Sequence, residues 1–210
     1  MNIKSRNIYL IYLLLYFSLL AGFYLNENFS LGNKLDYFQH KISVAMFEKD
    51  FMKTLLSFGE EPTSHSPIFY IFFLFLKKVS FNENIARLIN LHLSLFIPYF
   101  FYLCLRLKYN FHRTNLKSLI PCIIFLSPYF RAGAIWIGSE NISLLFLIIS
   151  FYFFLKYEFD KEKNFSNIFL NVLFLACAAY FRPIYAIFSI YFFLRFYLDL
   201  KLSNKLLYYI

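Results

Sequence analysis

Long apolar runs are the feature of this sequence that most restricts its fold. The first covers residues 8–25, and further runs cover residues 67–76, 85–105, 119–130, 141–155, 167–181 and 184–194. Charged residues make up only 16% of the chain, whereas a soluble domain carries about 25%. A soluble core cannot bury so many apolar side chains. The sequence therefore predicts an all-α, polytopic membrane protein, and it excludes a nucleic-acid-binding module.

The first apolar run is predicted to be an uncleaved span. Lys4 and Arg6 precede it, as in a secretory signal peptide, but the run is 18 residues long. The apolar region of a signal peptide is shorter, about 7–15 residues, and it ends at a small-residue cleavage site that is not evident here. We expect the basic end of this span to lie in the cytoplasm.

The distribution of basic residues decides between seven spans and six. A transmembrane helix needs about 20 apolar residues, and the run 67–76 has only 10 before Lys77 and Lys78. If all seven runs cross, 14 of the 21 basic residues lie outside; if 67–76 lies on the outer surface, 12 lie inside. Cytoplasmic loops carry an excess of basic residues. We therefore predict about six spans with both termini in the cytoplasm, and residues 26–84 as a long external loop.

The external loop 26–84 is predicted to contain juxtamembrane helices. Apolar residues recur at helical spacing over residues 35–56, and Gly59 is a suitable stop. Ser66 and Pro67 favour the start of a second, amphipathic surface helix, as an N-cap and a first helical residue. The loop also holds 7 of the 12 acidic residues, which makes it the first place to look for a functional site.

Asp36 and His40 are the first candidate site residues. They are spaced i and i+4, which places them on one face of a helix. A carboxylate there can act as a general base, with the histidine as its hydrogen-bond partner. A pair of solvated loop residues is the alternative interpretation. A metal site made by Asp36, His40 and His65 is a further alternative, which is weaker because only two of these ligands are close in sequence.

Three further polar residues are predicted on the same side of the membrane as Asp36. His65 lies in a turn between two prolines, where it can donate a hydrogen bond to a phosphate or a sugar. Glu140 begins a span, and a carboxylate there either serves in binding or is favoured by the helix dipole. Arg182 lies between two apolar runs, where a guanidinium can bind a phosphate through two bonds or extend to the headgroups. We expect Asp36, His65, Glu140 and Arg182 to line one cavity.

The order of several short motifs resembles the GT-C superfamily of polyprenyl-phosphate-sugar-dependent membrane glycosyltransferases. The motifs are the helix containing Asp36, His65-Ser66-Pro67-Ile68-Phe69-Tyr70, Ala86-Arg87-Leu88-Ile89-Asn90, Leu126-Ser127-Pro128, Glu140-Asn141 and Phe181-Arg182-Pro183. Within the superfamily, the similarity is to the bacterial protein mannosyltransferase and aminoarabinose transferase group, and it covers residues 8–194. Members of that group are longer. The resemblance therefore implies that residues 1–210 form a single membrane domain, the N-terminal part of such a module.

The resemblance also implies a reaction. Members transfer a sugar from a polyprenyl-phosphate donor to an acceptor hydroxyl, with inversion at the anomeric carbon and without a cofactor. Asp36 matches the catalytic base of the family. Arg182 would balance the charge of the leaving phosphate, Glu140 would orient hydroxyl groups, and His40 and His65 would contact substrate. The implied location is the lipid bilayer of a bacterial cell (inner) membrane, with the site on the external face.

Two other classes of function compete with the enzyme. The alternative function is that of a truncated, non-catalytic membrane scaffold or a lipid-phosphate-binding subunit. A transporter is disfavoured, because the sequence has neither an inverted repeat nor an acidic residue in the middle of a span.

Overall fold

A computed structural model describes residues 5–28, 32–60, 65–80, 82–110, 116–160 and 163–202 of the chain. Within these residues every regular element is helical, which confirms the predicted all-α class. The helices are α1 (Ser5–Tyr24), α2 (Gly32–Lys49), α3 (Phe51–Leu56), α4 (Pro67–Ser80), α5 (Glu83–Ser94), α6 (Phe96–Tyr109), α7 (Pro128–Trp136), α8 (Ser139–Phe159), α9 (Phe165–Phe181) and α10 (Phe188–Leu202). Three 3₁₀ helices cover Phe58–Glu60, Leu116–Leu126 and Pro183–Ile187.

Three of the described helices are long and apolar enough to cross a membrane. They are Asn7–Tyr24, Glu83–Tyr109 (α5 and α6 together) and Ser139–Phe159. A bent pair, Ser118–Leu126 with Pro128–Trp136, passes the same criterion only if its two halves count as one span. The coarse prediction of a membrane protein with apolar spanning helices is therefore supported. Helix α9 is apolar but shorter, with 17 residues.

Helices α8 and α9 form an antiparallel hairpin. At its middle, Asn171 donates from Nδ2 to the carbonyl oxygen (2.9 Å) and the hydroxyl oxygen (2.8 Å) of Ser150, and the Ser150 hydroxyl donates to the Asn171 carbonyl (2.9 Å). At one end, Glu140 pairs with Arg182, just beyond α9. The two helices therefore run past each other over the full length of α9, about 25 Å at 1.5 Å per residue.

The direction of the remaining long helices follows from their contacts with α8. Helix α10 runs parallel to α8, because ring contacts join Phe151 to Phe188 and, further along both helices, Tyr157 to Phe196. The segment formed by α5 and α6 also runs parallel to α8. Asn141 donates to the Ser94 hydroxyl (3.1 Å), and the Cys104 thiol approaches the Ile148 carbonyl later in both segments (3.7 Å).

Helix α1 runs antiparallel to α5. Tyr16, in the middle of α1, hydrogen-bonds His92 near the end of α5 (3.1 Å), and Phe23, near the end of α1, contacts Arg87 near the start of α5. The bent segment formed by the 3₁₀ helix Leu116–Leu126 and α7 advances in the same sense as α1, because Tyr12 donates to the Ser118 carbonyl (2.9 Å) and the Ser18 carbonyl, later in α1, accepts from Arg131 in α7 (3.0 Å). Adjacent segments of the chain thus alternate in direction through the bundle.

The predicted third span, residues 119–130, is not a straight helix. The chain bends by 71° between the 3₁₀ helix and α7. Ser127 has an extended backbone (ψ 121°) and accepts a hydrogen bond from the Phe130 amide, while Pro128 begins α7. A residue before proline is driven out of the helical conformation, which explains the bend. Residues 131–136, which lie between the apolar runs 119–130 and 141–155, belong to the buried helix α7.

In the part of the predicted external loop that the structure describes, three α-helices and one short 3₁₀ helix are present, where the sequence predicted two helices. The helix expected over 35–56 is interrupted at Asp50, whose carboxylate accepts from the Lys53 amide (3.0 Å) and caps α3. Helix α4 begins at Pro67, as predicted. One face of α4 packs into the bundle, where Phe69, Tyr70, Phe73 and Leu74 are buried. Helix α4 therefore fixes the position of the residues that precede it.

Candidate functional site

Five predicted site residues and one unpredicted residue meet at one end of the helix bundle. We call Asp36, His40, His65, Ser139, Glu140 and Arg182 the polar cluster. They come from four separate parts of the chain: α2, the turn before α4, the start of α8, and the connection after α9. The site is therefore assembled by packing of sequence-distant segments.

Arg182 is held in place by the end of α9 and by the proline that follows it. Its amide closes the last turn of α9 on the Ala178 carbonyl (2.9 Å), and its backbone is extended (φ −141°, ψ 103°). The residue before Pro183 is restricted to this conformation. The side chain points across to α8, where Nε donates to the Ser139 hydroxyl (2.9 Å) and a terminal nitrogen pairs with the Glu140 carboxylate.

Ser139 links the guanidinium to a histidine. Its hydroxyl oxygen accepts from Arg182 and lies 3.3 Å from Nδ1 of His65. Ser139 is fully buried at the start of α8. A hydroxyl has one proton to donate. Since the arginine can only donate, the arrangement fits a Ser139 proton directed at an unprotonated Nδ1, with the His65 proton on Nε2.

The chain before Ser139 is fixed by α5. Asn90 donates to the carbonyls of Gly133 (3.0 Å) and Ala134 (2.8 Å), and Arg87 donates to the Ile135 carbonyl (3.0 Å). The carbonyls of Ala134 and Ile135 belong to the last turn of α7, where a helix leaves its carbonyl groups without helical amide partners. The Gly133 carbonyl also accepts from the amides of Ile137 and Gly138. Ile137 then takes a left-handed conformation (φ 56°), which is uncommon for a β-branched residue. The turn that delivers Ser139 is therefore held by its surroundings.

The two histidines are packed together, and their surroundings lower the pKa of both. The ring centroids of His40 and His65 are 4.7 Å apart at nearly perpendicular planes, and His40 also contacts Phe69 (4.8 Å). Burial lowers the pKa of His40 to about 4, with further contributions from His65 and Arg182. Burial and the positive charge of Arg182 also lower the pKa of His65, and the negative charge of Asp36 acts in the opposite direction. A second positive charge beside the guanidinium is thus disfavoured.

Asp36 is exposed, one turn before the buried His40 on α2. Its carboxylate acts electrostatically on His65, across from α2. The sequence paired Asp36 with His40, but the structure packs His40 into aromatic rings and turns Asp36 towards solvent. Asp36 is therefore the member of the cluster that a ligand can reach most freely.

The geometry of these residues does not support metal binding. Among the described residues, no group of three or more His, Cys, Asp or Glu side chains is placed to hold a metal ion. Asp36, His40 and His65 do not form such a group, because His40 is enclosed by the rings of His65, Phe69 and Tyr70.

A second polar network, which the sequence did not reveal, lies between α1 and α7. Arg131 forms a two-point ion pair with Glu27 (2.6 Å for both contacts), and Trp136 donates from Nε1 to the Glu27 carbonyl (2.8 Å). Both charged side chains are largely buried. Arg131 and Trp136 lie between two of the apolar runs, and the signal for a helix there is Ser127 as an N-cap followed by Pro128 at the first helical position. The network holds α7 against α1.

Comparison with known proteins adds no assignment. None of the protein-family models, curated proteins or solved structures compared with this chain matches it.

Proposed function

We propose that this chain is a multi-pass membrane protein whose polar cluster binds a polyprenyl-phosphate sugar and transfers the sugar to an acceptor hydroxyl. The observation that carries the proposal is the contact of Arg182 with Ser139 and of Ser139 with His65. It joins a guanidinium suited to phosphate to His65, whose ring packs against His40 on α2. Helix α2 also carries Asp36, the base implied by the resemblance to GT-C glycosyltransferases. The proposed location is the external face of a bacterial cell membrane.

The directions of the helices support the proposed six-span topology. If α1 crosses outward, the segment formed by α5 and α6 crosses inward, the bent segment ending in α7 crosses outward, and α8, α9 and α10 follow in alternation. Each direction agrees with the contacts of that segment in the bundle. In this topology residue 28, the turn before α4, Ser139 and Arg182 all face the outside, and both termini face the cytoplasm.

The proposed reaction is a single displacement. The acceptor oxygen attacks the anomeric carbon of the donor sugar and forms the new C–O bond, while the bond from that carbon to the phosphate oxygen breaks. The electron pair leaves with the lipid phosphate, and the acceptor proton passes to Asp36 as general base. Attack from the side opposite the phosphate inverts the anomeric configuration. Asp36 is exposed and can reach a hydroxyl delivered from outside the bundle.

Arg182 would stabilise the charge that develops on the leaving phosphate. Its side chain and that of Glu140 are 34% and 42% exposed, so a phosphate can reach the guanidinium. A phosphate bound there would take the place of the Glu140 carboxylate. Glu140 would then be released to accept from a sugar hydroxyl, which agrees with its expected role in orienting the substrate.

The substitution Asp36→Asn tests this proposal. The full chain is reconstituted in liposomes with a radiolabelled polyprenyl-phosphate sugar, and transfer to a soluble acceptor is measured together with binding of the lipid phosphate. We expect Asp36→Asn to abolish transfer while binding persists. The control is Asp50→Asn, the same change at an exposed helix cap outside the cluster, which is expected to leave transfer unchanged.

The alternative function, a non-catalytic subunit that binds lipid phosphates, gives a different pattern. In that case the wild-type chain binds the lipid phosphate without transferring sugar, and Asp36→Asn changes neither result. A wild-type chain that neither transfers nor binds would refute both functions.

A further inference from the structure

A cavity lined by none of the residues of the polar cluster is walled almost entirely by apolar surface. It has a volume of about 430 Å³, within the range of small-molecule sites in proteins. Its walls come from α1, from α6 with the preceding Leu95, and from the 3₁₀ helix Leu116–Leu126, and they include Tyr12, Tyr99 and Tyr102. Two of these walls belong to helices long enough to cross a membrane. The cavity therefore lies at a depth where its surroundings are hydrocarbon.

Two of the tyrosine hydroxyls at this cavity are engaged by the protein. Tyr12 donates to the Ser118 carbonyl (2.9 Å), and Tyr16 is bonded to His92 (3.1 Å). With these hydroxyls engaged by the protein, the rings present their apolar faces to the cavity. Such a wall suits a hydrocarbon chain and offers little to a sugar or a nucleotide.

The side of the cavity is open to the surface of the bundle. Tyr9 on α1 and Tyr99 on α6 line the cavity and are 60% and 54% exposed. Exposed apolar side chains on a spanning helix face lipid. An unfilled space of this size would forfeit the dispersion contacts of its walls, and a lipid chain can enter from the side to restore them.

A basic residue continues the cavity wall of α6. Arg106 lies four residues after Tyr102 and seven after Tyr99, which places it on the same face of the helix, towards its end. Its side chain is exposed. A lipid whose acyl chain lies along Tyr99 and Tyr102 would bring its headgroup to this guanidinium, a group that binds phosphate oxygens. Charge complementarity therefore selects an anionic headgroup.

We propose that this cavity binds one acyl chain of an anionic phospholipid, with the phosphate at Arg106. The site is separate from the polar cluster, and the proposal needs only that α1 and α6 cross the membrane. The bound lipid would fill the space between α1 and α6 and brace the 3₁₀ helix that lies against both.

The test uses the full chain in phosphatidylcholine nanodiscs containing phosphatidylglycerol with a photoactivatable acyl chain. After irradiation, labelled peptides are mapped by mass spectrometry. We expect labels to concentrate on the segments containing Tyr12 and Tyr99, and unlabelled phosphatidylglycerol to displace them. Labels spread evenly over lipid-facing segments, including the exposed Ile190 on α10, would overturn the proposal. Displacement by an equal amount of polyprenyl phosphate, but not by phosphatidylglycerol, would overturn the choice of a phospholipid.

Two variants distinguish binding of the acyl chain from binding of the headgroup. Leu95→Trp fills the cavity and is expected to reduce labelling several-fold, whereas Ile190→Trp, the same kind of change on an exposed face, is expected to leave it unchanged. Arg106→Gln is expected to remove the preference for phosphatidylglycerol over phosphatidylcholine while labelling of the cavity persists. Equal labelling of wild type and Leu95→Trp would show that the lipid does not bind in this cavity. If Leu95→Trp does not fold, the distribution of labels on the wild-type protein tests the proposal instead.

Discussion

The guanidinium of Arg87 lies 3.8 Å from the centroid of the Trp136 ring, and both side chains are buried. Arg87 also donates from Nε to the Ile135 carbonyl (3.0 Å) and from a terminal nitrogen to the Asn26 side chain (3.1 Å). One side chain thus joins the end of α1 to the end of α7, three residues before Ser139 begins α8. The position of the polar cluster depends on a residue outside it.

We therefore expect Arg87→Lys to destabilise the protein, by about 1–3 kcal/mol, because lysine cannot stack and donate in two directions at once. Thermal unfolding of the purified chain in detergent measures the effect as a lower Tm. Lys108→Arg, the reverse exchange at an exposed position of the neighbouring helix, is the control and is expected to leave Tm unchanged. Equal Tm values for both variants would mean that the Arg87 contacts contribute nothing to stability.

The ion pair between Glu140 and Arg182 predicts opposite effects on phosphate binding. Glu140→Gln removes the carboxylate that competes for the guanidinium, and we expect tighter binding of a polyprenyl phosphate. Arg182→Ala is expected to weaken binding by about tenfold or more, the loss of a charge-assisted hydrogen bond. Arg182→Lys keeps the charge but not the planar fork, and an intermediate loss is expected. Equilibrium binding to the reconstituted chain distinguishes these outcomes.

Two results of that series would contradict the assigned roles. Full binding and transfer by Arg182→Lys would show that two-point recognition of the phosphate is unnecessary. Full activity of Arg182→Ala would show that Arg182 serves only to pair with Glu140 and Ser139.

Local rules account for the parts of this structure that the sequence predicted. The extended backbone of Arg182 and the start of α4 at Pro67 both follow from a proline at a known position. The all-helical class follows from the apolar runs. The same proline rule, applied at Pro128, also accounts for the bend in the third apolar run.

Contacts between distant segments account for the parts that the sequence did not predict. Ser139 carries no signal of its own, since a single serine at the start of an apolar helix is common. Its role arises only when α9 brings Arg182 to it and α4 brings His65. Glu27 and Arg131 are likewise 104 positions apart, and nothing in their local sequence marks them as partners. Burial of His40 could not be predicted either, because it depends on the rings supplied by α4.

The histidine pair predicts that the protein loses stability in mild acid. The pKa of His40 is lowered from its usual value near 6.5 to about 4 by burial, so the unfolded chain binds a proton more readily than the folded one. The stabilisation is fully present above about pH 6.5 and is lost as the pH falls from there towards 4. His65, whose pKa is also lowered, adds in the same direction. Thermal unfolding at a series of pH values measures the loss.

His40→Phe separates this effect from general acid denaturation. Phenylalanine fits among the same rings but cannot bind a proton, so the fall in Tm between pH 6.5 and 4 is expected to be smaller than in wild type. An identical fall in both proteins would show that His40 does not contribute to it.

The alternating directions of the helices predict which residues face the outside of the cell. Single cysteines replace Asp50, at the start of α3, and Lys108, near the end of α6, in a chain whose native cysteines are changed to alanine. Both positions are exposed, so accessibility is decided by the side of the membrane. A membrane-impermeant maleimide added to intact cells is expected to label position 50 and to label position 108 only after the membrane is permeabilised. Position 113, for which the charge pattern predicts the same cytoplasmic location, lies outside the described residues. Labelling of position 108 in intact cells would show that α5 and α6 cross the membrane in the opposite direction. Residues 67–76 would then have to cross the membrane as a seventh span.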